Sequence, residues 1–204
     1  MDEEVLKRWA EFLNPDVVRT KFTTLGLYMV AHEMLTQAIT RRPHEFFSDR
    51  WTKEKGWLIS DRYRDEVLAL DPKGKGDPLR GSLAWLQKND VIDASDVATH
   101  RELTEARNEV AHELAQIMSG RQMPDLPGLL PRLIALVSKI ERWWIVNVDI
   151  ATDPDYDGAD IDEDAIISGS QWMLHMLSRV ALGEEEEAWE YYRGFMEQAA
   201  KTKQ

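Results

Sequence analysis

One stretch constrains this chain more than any other: Asp93 to Gly120, DASDVATHRELTEARNEVAHELAQIMSG. Asp93, Ser95 and Asp96 can each accept a hydrogen bond from the free N–H groups of a first helical turn. Gly120 suits the position just past a helix end. No Pro or Gly lies between them. At about 100° per residue, Leu103, Ala106, Val110, Leu114 and Ile117 gather into one apolar stripe. His112 falls about 180° from Leu103, on the opposite side. Asn108 lies one turn before His112 on that polar face, with Glu105 and Arg101 in line behind it. Arg107 sits at the edge of the stripe, beside Ala111. His112 is therefore not a core histidine, which leaves a surface His or a His at an interface or site.

The flanking chain reads as more helices. Asp2 to Leu13 places Val5, Leu6, Trp9, Phe12 and Leu13 at helical spacing. Asn14-Pro15-Asp16 ends that helix, because Pro disfavours helix in the residue before it. Asp16 to Thr40 predicts a long helix with Phe22, Leu25, Met29, Leu35 and Ile39 as apolar positions. A structural role is expected for its His32. Arg41 to Gly56 (RRPHEFFSDRWTKEKG) interleaves basic residues with Phe46, Phe47 and Trp51. It reads as a connecting loop whose aromatics cap the core, or as a surface that grips phosphates and stacks bases. Trp57 to Leu70 and Pro78 to Gln87 are further helix candidates, the second with Leu79, Leu83, Trp85 and Leu86 inward. The loop between them, DPKGKGD, has Gly and Lys but not the spacing of a phosphate loop. After a turn at Met123–Pro127, a strongly apolar helix runs from Leu129 to Asn147. Four or five such helices make an all-α helical bundle.

The remainder, 148–204, reads as an acidic loop and C-terminal helices packed on a helical domain of residues 1–147. Asp153, Asp155, Asp157, Gly158 and Asp164 resemble the start and close of a calcium loop. Pro154 and Asp160 depart from that pattern, and a solvated acidic loop fits better. Asp162 or Asp164 is expected to cap the next helix, which runs to about Leu182. Glu184 to Glu187 then suit the N-terminus of a last helix, where the dipole favours negative charge. Trp189, Tyr192, Phe195 and Met196 form its apolar side.

Charge narrows function. The net charge is -12. Residues 1–40 carry −2, 41–80 carry +2, 81–140 carry −2 and 141–204 carry −10. Such a chain is no broad non-specific nucleic-acid binder, although a local basic surface on the first two-thirds is compatible with it. There are no cysteines, which suits a reducing cytoplasm and rules out thiolate chemistry and disulfides. MDEEVLKRWAEF is acidic and lacks the apolar core of a signal peptide. No stretch approaches the apolar length needed to span a bilayer. Glu109-x-x-His112 has the spacing of a di-iron ligand pair. The residues three before His32, His44, His100 and His175 are Met29, Arg41, Val97 and Trp172, none acidic. No metal or other cofactor is expected.

Arg107-Asn108-Glu109-Val110-Ala111-His112, an Arg followed by a polar residue and then, after three more, a His, resembles the signature of the HEPN superfamily (higher eukaryotes and prokaryotes nucleotide-binding domain). The resemblance extends over helices from about Asp16 to Asn147. It implies a metal-independent endoribonuclease with Arg107, Asn108 and His112 as catalytic residues. His moves a proton near neutral pH, and Arg offers a planar fork of donors to a phosphorane. Two copies of the motif would line one cleft in a homodimer, with Asn108, Ala111, His112 and Ala115 at the contact. The resemblance further implies a prokaryotic toxin–antitoxin, phage-defence or RNA-processing setting, with an antitoxin protein as a partner. The alternative is a HEPN-like module that binds nucleotide or RNA, or dimerises, without cleaving.

Overall fold

Asn14 and Pro15 set the start of the longest helix. Asn14 Oδ1 accepts from the amides of Asp16 (3.0 Å) and Val17 (3.4 Å), and Pro15 occupies the first turn, where its missing N–H costs nothing. The computed structural model describes residues 3–202. Within it α1 (Glu3–Leu13) precedes α2 (Pro15–Phe47). α2 runs well past Thr40, through the stretch expected to be a loop. Pro43 lies inside it and cannot donate to the carbonyl of Ile39. Burial of Ile39, Pro43 and Phe47 holds these last turns helical.

A two-stranded antiparallel hairpin follows, β1 (Trp51–Thr52) and β2 (Gly56–Trp57), with Trp51 opposite Trp57. The helix expected over Trp57–Leu70 is broken up. Ser60 Oγ accepts from the Tyr63 amide (2.9 Å) and so starts a short α3 (Asp61–Glu66). A single 3₁₀ turn, Leu68–Leu70, completes the segment. Five longer helices follow: α4 (Pro78–Lys88), α5 (Ala94–Met118), α6 (Leu126–Trp144), and an α7 (Gly169–Leu182) that leads into α8 (Glu185–Thr202). The architecture is all-α.

α2 is the axis. It packs along α6 and also meets α4, α5 and α7. Tyr28, Leu35, Ile39, Leu103, Leu133 and Ile140 are almost entirely withdrawn from water at these contacts. Trp85 of α4 stacks on Trp144 of α6 at 5.4 Å and 12°, and Phe47 and Trp143 meet Trp85 edge-on. α4 approaches the Val67–Leu68 backbone so closely that a Cβ on Gly81 would lie 2.6 Å from the Val67 carbonyl oxygen.

The DPKGKGD loop is closed on itself. The buried Asp71 carboxylate accepts from the amides of Lys73 (3.0 Å), Lys75 (3.0 Å) and Asp77 (3.1 Å) and from Arg80 Nε (2.7 Å) and Nη2 (2.9 Å). Arg80 and these amides hold its pKa far below the usual carboxylate range. Three of the loop's amides are spent on its own aspartate.

α6 continues through a π-helical turn, Ile145–Ile150, so the boundary after Asn147 falls inside continuous helix. In the acidic stretch, Asp153 and Asp162 accept from the amides two residues on (3.0 and 3.1 Å) and cap short 3₁₀ turns. Asp164 pairs with Arg142. It is Ser168, not Asp162 or Asp164, that caps α7, accepting from the Gln171 amide (3.1 Å). A hydroxyl directly ahead of the helix outcompetes carboxylates already committed to their own turns. No group of three or more acidic or His side chains able to hold a metal ion occurs among the described residues. Among the described residues no helix is long and apolar enough to cross a membrane.

Candidate functional site

α5 is fastened at both ends. Asp93 Oδ1 accepts from the Ser95 (2.7 Å) and Asp96 (3.0 Å) amides, and Asp96 Oδ2 accepts in return from the Asp93 amide (2.9 Å). At the far end Ser119 is the cap. Gly120 follows with φ +108°, and the amide of Arg121 bonds back to Gln116 (2.9 Å). That reversal needs a residue free to take positive φ. Between these ends Leu103, Ala106, Val110 and Ile117 are buried as the stripe requires. Leu114 is the exception, at 40 % exposed.

The three motif residues do not share one environment. Arg107 is half-buried, whereas Asn108 and His112 are exposed. Along the helix axis Arg107 and His112 are about 7.5 Å apart and they leave it about 140° apart. The guanidinium swings round to close part of that angle: Arg107 Nη1 donates to Asn108 Oδ1 at 3.2 Å. Asn108 and His112, four residues apart, differ by only about 40°. Asn108 thus turns Arg107 toward the face that carries His112. Ala111 and Ala115 lie exposed beside them.

The turn after α5 adds a cation that the motif does not contain. Arg121 folds back to bond Glu109 (3.3 Å) and Glu113 (3.0 Å).

Behind Arg107 lies a polar cluster visible only in three dimensions. His32 and His100 are both buried, their rings 6.4 Å apart. Thr104 Oγ1 donates its proton to the His100 carbonyl (2.8 Å). Its oxygen is then the acceptor for His32 Nε2 at 3.2 Å, so His32 carries its hydrogen on Nε2. Burial, then His100 and Arg107, push the His32 pKa down to about 4, and burial lowers that of His100. His100 Nε2 is buried with no hydrogen-bond partner among the described residues. His32 is therefore a buried structural residue that joins α2 to α5. Its signal in the sequence was the i, i+4, i+7 spacing of His100, Thr104 and Arg107, which places all three toward α2.

The basic segment divides. Arg41 pairs with Glu45, and Arg42 with Asp149, so the acidic stretch begins against α2. Both arginines line a cleft of about 450 Å³ between α2, α6 and α7, where Ser170 Oγ also bonds Glu141 (2.7 Å). Beyond α2 the picture differs: Trp51 and Trp57 stand exposed on the hairpin with Arg50, Lys53 and Lys55. Of the aromatics expected to cap the core, Phe47 does so, while Phe46 is only partly covered against Phe47 and Trp144.

Comparison with protein-family models, curated proteins and solved structures gives no match to this chain.

Proposed function

We propose that this chain is a HEPN-type, metal-independent endoribonuclease whose site is completed by a second copy of itself. The observation that carries the reading is the outward face of α5, where the Arg107 guanidinium bonds Asn108, one turn before His112. A single copy offers one cation and one proton carrier. Two α5 helices meeting along Ala111 and Ala115 would double both, and alanines permit close approach. In that arrangement His112 moves a proton of the 2′-hydroxyl or of the leaving oxygen. Arg107 bears the charge that develops on phosphorus-bound oxygen. The exposed Trp51 and Trp57, with Arg50, Lys53 and Lys55, supply stacking faces and cations for a single strand. A prokaryotic toxin or defence effector is the setting in which such an enzyme acts, with an antitoxin as its control and the cytoplasm as its location.

The matched charge of Arg121 with Glu109 and Glu113 favours a second reading, an RNA- or nucleotide-binding or dimerising module without cleavage. One experiment separates the two. Purified protein is incubated with single-stranded RNA in EDTA. Cleavage with a 2′,3′-cyclic phosphate product is expected, falling by about a hundredfold or more in His112→Ala and comparably in Arg107→Ala. Arg107→Lys should recover only part, because a point charge does not replace the fork. An inert wild type that still binds RNA as a folded dimer would establish the second reading instead.

A further inference from the structure

A groove of about 740 Å³ lies between α6 and α7, apart from the face of α5 that carries His112. Ser170 at the start of α7 bonds Glu141 near the end of α6, and α7 runs back along α6 from there. On α7 the groove extends from Gln171 to Leu182, about 16 Å at a rise of about 1.5 Å per residue. Its two ends differ in kind. At one end stand Lys139 and Arg142 of α6 with Gln171 and His175 of α7. At the other, Leu130, Pro131, Ile134 and Leu182 give an aliphatic lining. Small side chains, Ala135, Ser138 and Ser178, keep the middle open. Both hydroxyls are spent on their own helices, Ser138 on the Ile134 carbonyl (2.8 Å) and Ser178 on that of Leu174 (2.7 Å).

Three features select what the groove takes. Among the described residues no Asp or Glu lines it, although the chain carries 37 acidic residues against 25 basic ones. The cleft beside Arg41 and Arg42 differs, because Glu45, Glu141 and Asp149 line it too. No Phe, Tyr or Trp among the described residues lines the groove either, so it offers a base no stacking platform. Its mean width, about 7 Å from volume and length, is less than the roughly 10–12 Å of a helix with its side chains. A flexible aliphatic chain meets these conditions, and an anionic head belongs at the cationic end. Lys139 is already matched by Asp93 and Asp96. Arg142 is less committed. Its ion pair is with Asp164, whose side chain is 99 % exposed, and its buried Nε has no partner among the described residues. An exposed pair of that kind is worth little and yields to a better-placed carboxylate. We propose that the groove binds a fatty carboxylate, its head on Arg142 beside Gln171 and His175 and its tail toward Leu130 and Leu182. The guanidinium fork suits a planar carboxylate. At roughly 1.2 Å per bond of an extended chain, the groove takes about twelve to fourteen carbons. This site does not depend on the chemistry assigned to α5.

The test titrates dodecanoate, below its micelle concentration, into the full chain by calorimetry. Dodecyltrimethylammonium controls for the head and hexanoate for the tail. Dodecanoate should bind saturably, one per chain, and roughly tenfold or more tighter than either control. Arg142→Ala should weaken dodecanoate by roughly tenfold and leave the ammonium probe unchanged, and Arg142→Lys should recover only part. Ala135→Trp fills the groove from an exposed position on α6. It should abolish binding while the thermal melt stays that of wild type. Ser178→Leu, from the opposite wall, should do the same. Phe195→Ala, on the exposed aromatic side of α8, should leave binding intact. Equal binding of dodecanoate and dodecyltrimethylammonium, or several molecules per chain, overturns the proposal. So does binding that survives both filling variants or is lost with Phe195. Binding to phosphatidylglycerol vesicles with no dodecanoate complex likewise overturns it, since a membrane surface would then be the partner.

Discussion

α6 and α8 are both amphipathic helices of similar length, yet their apolar sides meet different fates. α6 sinks Leu133, Leu136, Val137, Ile140 and Trp144 against α2 and its neighbours. α8 places Trp189, Tyr192, Phe195 and Met196 in water. The sequence pattern alone does not distinguish them, because periodicity reports which side is apolar and not what lies opposite. α6 has α2 to meet. α8 packs chiefly on α7. Apolar periodicity therefore marks a buried side in one helix and an exposed side in the other.

The widest separation should come from truncating one aromatic in each. Trp144→Ala is expected to cost about 3–5 kcal/mol of unfolding free energy, from lost transfer energy and a cavity beside Trp85. Phe195→Ala should stay within about 0.5 kcal/mol of wild type. Urea denaturation of both variants checks this, and comparable losses would mean that α8 is packed in solution.

The next contrast is with pH. His32 and His100 have folded pKa values below the unfolded value of about 6.5, that of His32 at about 4. The unfolded chain therefore binds more protons in this window, and stability present above about pH 6.5 is lost as pH falls toward 4. For His32 the loss amounts to about 3 kcal/mol at most. His32→Leu removes this dependence, so the stability difference between wild type and variant should shrink on acidification. A constant difference from pH 7 to pH 4.5 would show that His32 does not titrate in the fold.

Glycines give a smaller but signed comparison. Gly81→Ala forces a Cβ against the Val67 carbonyl and should destabilise by about 1–3 kcal/mol. Gly194 in α8 has nothing within 4 Å of such a Cβ. Gly194→Ala should stabilise by up to about 1 kcal/mol through helix propensity. Thermal melts of the pair would sharpen the contrast, and a loss at Gly194 would break it.

The same reasoning accounts for what the sequence reveals and what it hides. α5 was readable to within a residue at each end, because Asp93, Asp96 and Gly120 act locally. Arg107, Asn108 and His112 were readable as a helical constellation for that reason. The extension of α2 through Pro43 was not, since its burial against distant helices offsets a local penalty. Leu114 counted as core by angle, yet it is 40 % exposed. The β1–β2 hairpin holds two residues per strand, too few for alternation to register. The bond between His32 and Thr104 joins residues 72 apart in the chain and leaves no short-range trace beyond the spacing of His100 and Thr104 on α5.

The pairing of α2 with α6 also has a consequence in time. During synthesis the apolar side of α2 is complete at Phe47, but its main partner does not begin until Leu126. At ~5–20 residues per second, roughly 4–16 s separate the two. A long, partly apolar helix must wait through that interval with only the short intervening elements to cover it. The nascent chain is then most exposed to wrong partners, and α6 is the segment whose arrival ends the exposure.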